Sequence, residues 1–249
     1  MISTRIIAKL DVKPPFLVKP IHFEGLRKIG TPSDYAEKYY NEGIDEIFYI
    51  DIVASLFQRE ILSNEVSNLA KKIFVPLAVG GGVKSIDDFS LLIESGADKV
   101  VINSYALQVD PNIINQASKI FGSQAVVVNI EAKYIENNWE CYSDCGRIRS
   151  KKNVLNWVKE VESRGAGEIL IQSVDRDGKQ NGFDINLIGE VVNNTKIPVV
   201  ASSGAGSIDD IIEVIIKCKP SGVAISSILH YNKFSVSEIK QKILKINNN

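Results

Sequence analysis

Short apolar runs rich in Val and Ile alternate along this chain with amphipathic stretches of 9 to 14 residues, a rhythm that signals repeated strand-then-helix units and a parallel sheet. The pattern predicts strands over 5–11, 46–51, 75–79, 99–103, 125–131, 168–173, 198–202 and 222–226. Helices are predicted over 32–42, 58–72, 86–95, 111–120, 152–164, 184–193, 208–217 and 235–246. Eight such units in 249 residues predict a closed (β/α)8 barrel, the TIM-barrel architecture, in preference to a doubly wound sheet, which more often stops at five or six strands. No segment rich in Pro, Gly or Ser divides the chain, so a single domain over 1–249 is expected.

The chain also repeats itself. The run from Pro76 to Asp88, containing "VGGGVKSIDD", lies without a gap over Pro198 to Asp210, containing "ASSGAGSIDD", at an offset of 122. "GIDEIFYID" from Gly43 parallels "GAGEILIQS" from Gly165 at the same offset. "IIAKLDVK" from Ile6 parallels "VVVNIEAK" from Val126 at offset 120, and "VVINS" from Val100 parallels "VAISS" from Val223 at offset 123. Four strands thus have a partner half the chain away in the same order, which predicts a barrel made of two half-barrels, about 1–122 and 123–249.

Composition narrows the function classes. With 45% hydrophobic and 24% charged residues, the chain has the means to bury a large core. A net charge of −1 provides no field for nucleic acid or an anionic membrane, so any anion must be held by a local site. The three cysteines, Cys141, Cys145 and Cys218, have spacing unsuited to zinc, and reduced thiols are expected. Neither metal nor other cofactor is implied. "MISTRIIAKLDVK" is broken by Lys9 and Asp11 and does not read as a signal peptide, and no apolar run is long enough for a bilayer, so a cytoplasmic protein is expected.

In a (β/α)8 barrel the chemistry gathers where strands end. Gly80-Gly81-Gly82 follows the third strand and Gly204-Ala205-Gly206 the seventh, each before a helix with Ser85 or Ser207 as expected N-cap. Glycines let backbone N–H groups approach an anion, and a helix N-terminus favours negative charge, so each loop reads as a phosphate cradle. Asn103-Ser104 and Ser226-Ser227, ending the neighbouring strands, complete the two cradles, which together suit a substrate with a phosphate at each end. Asp11 and Glu131 end strands one and five, opposite each other in an eight-membered ring. Paired carboxylates divide general-acid and general-base work when their surroundings push their pKa values apart. Lys9 has the parity to point inward beside Asp11 and hold it charged. At the other end, Arg5, Glu46, Lys99 and Glu168 start strands one, two, four and six with inward parity. Two charges of each sign read either as a salt-bridge plug or as a gate.

"RIIAKLDVK", "GIDEIFYIDI", "PLAVGGGVKS", "GADKVVINS", "FGSQAVVVNIEAK", "RGAGEILIQSVDRDG" and "PVVASSGAGS" together resemble the cyclase subunit of imidazole glycerol phosphate synthase, the HisF family of histidine biosynthesis, from about Arg5 to His230. The sister isomerase of the pathway shares the half-barrel plan, but "SVDRDG" and "DEIFYIDI" match the cyclase better. The resemblance implies a glutaminase subunit docked on the N-terminal face of the barrel. Ammonia passes through the barrel and attacks a bisphosphorylated ribulosyl aminoimidazole carboxamide nucleotide at the other end. It implies Asp11 and Glu131 as the catalytic acids and Gly81, Gly82, Asn103 and Ser104 at one phosphate. Gly178, Gly204, Ala205, Ser226 and Ser227 fall at the other. It puts Lys19 on a mobile first loop that closes over substrate, Asp177 on the loop after the sixth strand, Arg5, Glu46, Lys99 and Glu168 at an ammonia gate, and Asp98 at the glutaminase contact.

The chain departs from that family around the substrate. Glu131 stands where the family has aspartate, one methylene longer, a displacement of about 1 Å that can cost on the order of a hundredfold. Lys9 replaces a cysteine, Ser203 a glycine and Gln172 a threonine, and the first loop reads "KPPFLVKPIHFEGLRKIG". An altered pocket over an intact gate resembles a divergent branch of the family that delivers ammonia for amidation of a nucleotide-linked surface sugar. Cyclase, ammonia conduit and sister-type isomerase are therefore the three readings the sequence leaves. The segment "YIENNWECYSDCGRIR" is expected to form a β-hairpin after the fifth strand, with no role assigned.

Overall fold

The computed structural model describes residues 4–21, 24–57 and 61–247. Eight parallel strands close on themselves: β1 (Arg5–Lys13), β4 (Glu46–Asp51), β5 (Leu77–Gly80), β6 (Lys99–Ile102), β7 (Val126–Ile135), β10 (Glu168–Ser173), β11 (Val199–Ser202) and β12 (Gly222–Ile225). Pairing runs β1, β4, β5, β6, β7, β10, β11, β12 and back to β1, so no barrel edge is left open. The predicted strand positions hold within about two residues, apart from β1 and β7, which run on past the barrel. Strands matched by the sequence repeat, such as β4 and β10, sit four places apart in the ring.

Between strands come α1 (Pro32–Asn41), α2 (Ala54–Phe57), α3 (Ser63–Ala70), α4 (Ile86–Glu94), α5 (Ser104–Gln108), α6 (Asn112–Phe121), α7 (Val154–Ser163), α8 (Ile185–Asn193), α9 (Ile208–Cys218), α10 (Ser227–His230) and α11 (Val236–Asn247). The second expected helix, 58–72, begins at Ser63, with 58–60 outside the described residues. The short α2, α5 and α10 carry too few residues for a periodic signal. Both expected serine caps are present. Ser85 Oγ accepts from Asp88 N at 3.1 Å, and Ser207 Oγ accepts from Asp210 N at 3.2 Å while Asp210 Oδ2 accepts from Ser207 N at 2.8 Å. Such caps stabilise a helix by about 1 kcal/mol and fix where each glycine loop ends.

Two apolar cores result from the alternation of side chains along each strand. The outer one packs strand backs against helices, with Trp157, Tyr39 and Phe89 among its largest buried members. The inner one is a separate layer to which each barrel strand contributes a residue: Ile7, Phe48, Ala78, Val101, Val127, Leu170, Val200 and Ala224.

Two segments differ from the sequence expectation. The first loop is a β-hairpin, β2 (Phe16–Ile21) and β3 (Glu24–Gly30). β2 runs antiparallel to the extended end of β1, with Asp11 opposite Val18 and Val12 opposite Leu17. Pro14, Pro15, Pro20, Gly25 and Gly30 read as loop punctuation. A strand flanking a barrel tolerates proline because not every N–H is required for pairing. The insert after the fifth strand forms more than one hairpin: β7 continues into β8 (Asn138–Ser143) and then β9 (Ile148–Asn153), a three-stranded antiparallel extension. Among the described residues, no helix is long and apolar enough to cross a membrane.

Candidate active site

Asp11 and Glu131 leave β1 and β7 on opposite sides of the mouth. Asp11 is fully buried and is paired with Lys9 through one oxygen. Its other oxygen lies 3.4 Å from Lys19 Nζ, which also contacts Asp177 at 3.2 Å. Lys9, Lys19, Asp11 and Asp177 thus form a buried quartet with no net charge, a condition that keeps the desolvation cost of buried ions bearable. Burial pushes the Asp11 carboxyl up, but Lys9 and Lys19 outweigh it and hold Asp11 below the usual carboxylate range. Lys19 moves the opposite way: burial lowers it, while Asp177 and Asp11 raise it beyond the usual lysine range. Lys19, expected on an open loop, is a buried rung of β2 placed there by the hairpin register.

Glu131 has no cation to itself. Burial drives its carboxyl up to about 7, and the hydrogen bond from Gly146 N, the charge of Lys9 and the bond from Asn103 Nδ2 offset only part of this. These bonds measure 2.7 and 2.9 Å. The turn between β8 and β9 supplies Gly146. It also sends Asp144 N to Ser104 Oγ at 3.1 Å and Cys145 Sγ to Ile52 O at 2.8 Å. The insert with no assigned role therefore closes over the mouth and positions an acid.

The glycine loops sit where the repeat puts them, but the spaces beside them are unequal. Gly81, Gly82, Asn103 and Ser104 line a cavity of about 510 Å³ together with Lys9, Asn129, Glu131 and Gln172. Gly81 is obligatory there: its φ is +118°, and a Cβ would stand 2.4 Å from the Asp51 carbonyl oxygen. Gly178, Gly204, Ala205, Ser226 and Ser227 line a second space of only about 20 Å³, filled from one side by Lys19 and Asp177. Ser226 Oγ is already committed, donating to Lys9 O at 2.7 Å. Ser203 adopts φ +75°, the left-handed region that suits glycine, and its buried hydroxyl has no partner among the described residues.

At the opposite end of the bore, Arg5 pairs with both Glu46 and Glu168, and Lys99 Nζ lies 2.8 Å from each of the same two carboxylates. The four residues close a ring of alternating charge across the floor, with the inner apolar layer one step above it. Asp98 is exposed on that face, where its carboxylate accepts from Leu77 N at 2.8 Å.

Sequence reasoning missed Asp51, Tyr105, Gln108 and Asp144 around the larger cavity. Asp51 carried a usable signal, since it closes an apolar strand as Asp11 and Glu131 do. His230 was also missed. It is buried on α10, with Nδ1 2.7 Å from Tyr39 Oη, and burial together with the charge of Lys19 depresses it to about 3, so it is neutral.

A family model described as "Histidine biosynthesis protein" matches residues 5–235. The chain is similar to proteins named imidazole glycerol phosphate synthase subunit HisF. It is 43% identical to that of Lactococcus lactis subsp. cremoris (strain SK11) over 98% of this chain and 95% of the relative. Identity is 44% to that of Thermococcus onnurineus, over 97% and 95%, and 40% to that of Methanocaldococcus jannaschii, over 97% and 96%.

Proposed function

Because the chain belongs to the histidine-biosynthesis protein family, we propose that it is the cyclase subunit of imidazole glycerol phosphate synthase. It takes ammonia from a separate glutaminase subunit docked on the floor of the barrel, where Asp98 is exposed. It uses that ammonia on a bisphosphorylated nucleotide at the mouth, yielding imidazole glycerol phosphate and an aminoimidazole carboxamide ribotide.

The observation that carries this reading is the vertical order of the bore. A neutral ring of Arg5, Glu46, Lys99 and Glu168 comes first, then an apolar layer that offers nothing to hold an ion, then two acids with opposite ionisation. Ammonia crosses an apolar layer readily when neutral, so a gate that opens briefly below such a layer delivers the nucleophilic form. At neutral pH Asp11 is ionised and suited to accept a proton, while Glu131, poised near 7, is suited to donate one. Gly81, Gly82 and Ser104 hold one phosphate through backbone and hydroxyl groups. Gly178, Gly204, Ala205 and Ser227 hold the other once the β2–β3 hairpin carries Lys19 off Asp177. Lys9 and Lys19, which both line that space, are the cations available to that phosphate.

The test is turnover of the histidine-pathway nucleotide with excess ammonium salt at near-neutral pH, by the unaltered protein and by Glu131→Asp. Robust turnover by the unaltered protein is expected. No turnover by it, with some gained by the aspartate variant, would favour instead a conduit that serves another enzyme's amidation.

A further inference from the structure

Between the apolar layer and the two acids lies a belt of amide side chains on three adjacent strands. Asn129 is on β7, Gln172 is on β10 beside it, and Asn103 follows β6 on the other side. Gln172 is two residues above Leu170 of the apolar layer on the same inward-facing row and is 2% exposed. One bond joins two members of the belt and a second ties the third to Glu131. Gln172 Nε2 donates to Asn129 Oδ1 at 2.8 Å, and Asn103 Nδ2 donates to Glu131 Oε1 at 2.9 Å. Both use the NH2 end of the amide. The two carbonyl ends, Gln172 Oε1 and Asn103 Oδ1, are buried and without a hydrogen-bond partner among the described residues. A buried amide oxygen left unpaired costs about 1–3 kcal/mol. Both side chains line the larger cavity, and two unpaired oxygens there mark a place where a donor is meant to arrive.

We propose that Gln172 Oε1 and Asn103 Oδ1 are the receiving site for ammonia as it leaves the apolar layer, each accepting one N–H. The inference rests on the cyclase reading given above. Ammonia carries three N–H donors and one lone pair. Two carbonyl acceptors therefore fix its orientation while leaving the lone pair free to attack. Lys9 lines the same cavity but is paired with Asp11. Its charge is thereby already balanced, so the amide belt itself carries no net charge that would favour ammonium over ammonia. A neutral amide is the appropriate acceptor here, because a carboxylate in the place of Gln172 would favour ammonium.

The test uses the full chain with ammonium salt as nitrogen source, varying ammonia at saturating nucleotide and nucleotide at saturating ammonia. Gln172→Met keeps the volume and removes the acceptor. The KM for ammonia is expected to rise roughly tenfold, the worth of one hydrogen bond, with the KM for nucleotide within about twofold. Gln172→Thr, which restores an acceptor oxygen in a smaller side chain, is expected to recover part of the ammonia affinity. An unchanged ammonia KM in Gln172→Met, a rise confined to the nucleotide KM, or a threonine variant no better than methionine would overturn the proposal while leaving the cyclase reading intact. An inert but folded unaltered protein would overturn both.

Discussion

Asp11 and Glu131 face each other across the barrel mouth and are driven in opposite directions, Asp11 downward by Lys9 and Lys19 and Glu131 upward by burial. The difference comes from how charge is shared. Lys9 and Lys19 are both spent on the quartet that contains Asp11 and Asp177.

Asp11→Asn leaves Lys9 and Lys19 buried with one carboxylate between them. Breaking a buried charge cluster by removing one member costs about 3–5 kcal/mol, so a large drop in the urea midpoint is expected. Ammonia-dependent kcat should fall by about a hundredfold or more, the usual worth of a positioned proton acceptor. Steady-state kinetics on the fraction that remains folded check this.

Glu131→Gln should change how stability depends on pH. The folded pKa of Glu131, about 7, lies above its ordinary value of 4.5. Below about 4.5 both folded and unfolded states hold the proton and nothing is lost; as pH rises to about 7 the buried carboxyl destabilises the fold, and above that the cost is constant. His230 has the reverse sign, because its folded value near 3 lies below its ordinary 6.5, so stability falls as pH drops through that interval. The two slopes oppose each other in the unaltered protein. The difference between Glu131→Gln and the unaltered protein isolates the first, and it should grow by about 3 kcal/mol in favour of the variant between pH 4.5 and 8. Urea titrations across that range measure it, and a flat difference would contradict the assignment.

Lys99→Ala removes one of the two cations that hold Glu46 and Glu168 together. Glutamine-driven turnover, assayed with a glutaminase partner, should fall several-fold relative to turnover driven by added ammonia, which enters at the mouth. Equal losses in both assays would place Lys99 outside the path of ammonia.

Ser203→Gly should stabilise the chain. It relieves a left-handed backbone at φ +75° and removes a buried hydroxyl without a partner. The net gain expected is about 1 kcal/mol after the greater unfolded-state entropy of glycine is deducted. Thermal unfolding at neutral pH reads it directly.

The barrel was legible because its signals are local and repeated. Strand alternation, serine caps ahead of α4 and α9, and the matched offsets each depend on a few neighbouring residues. Parity along a strand likewise placed Arg5, Glu46, Lys99 and Glu168 in the bore and Lys9 beside Asp11. The first hairpin was not legible, because its proline and glycine punctuation is that of a loop, and only pairing with the end of β1 makes it a strand. Nor did the sequence distinguish the spaces beside the two glycine loops. The two loops open onto spaces of about 510 and 20 Å³, and Lys19, arriving from another element, lines the smaller one.

The sequence by itself determined the ring of strands, the places of the two glycine loops and the two acids, and the charged floor, since each follows from spacing along one short segment. The tertiary structure alone decided which acid is driven upward in pKa, which glycine loop faces the larger space, and which amide oxygens lack partners. Those properties depend on what distant segments bring to the same few ångströms: a lysine from β2, a turn between β8 and β9, and side chains from three adjacent strands. Energies at a buried site are set by the sum of charges and hydrogen bonds gathered there, and that sum exists only once the chain has closed.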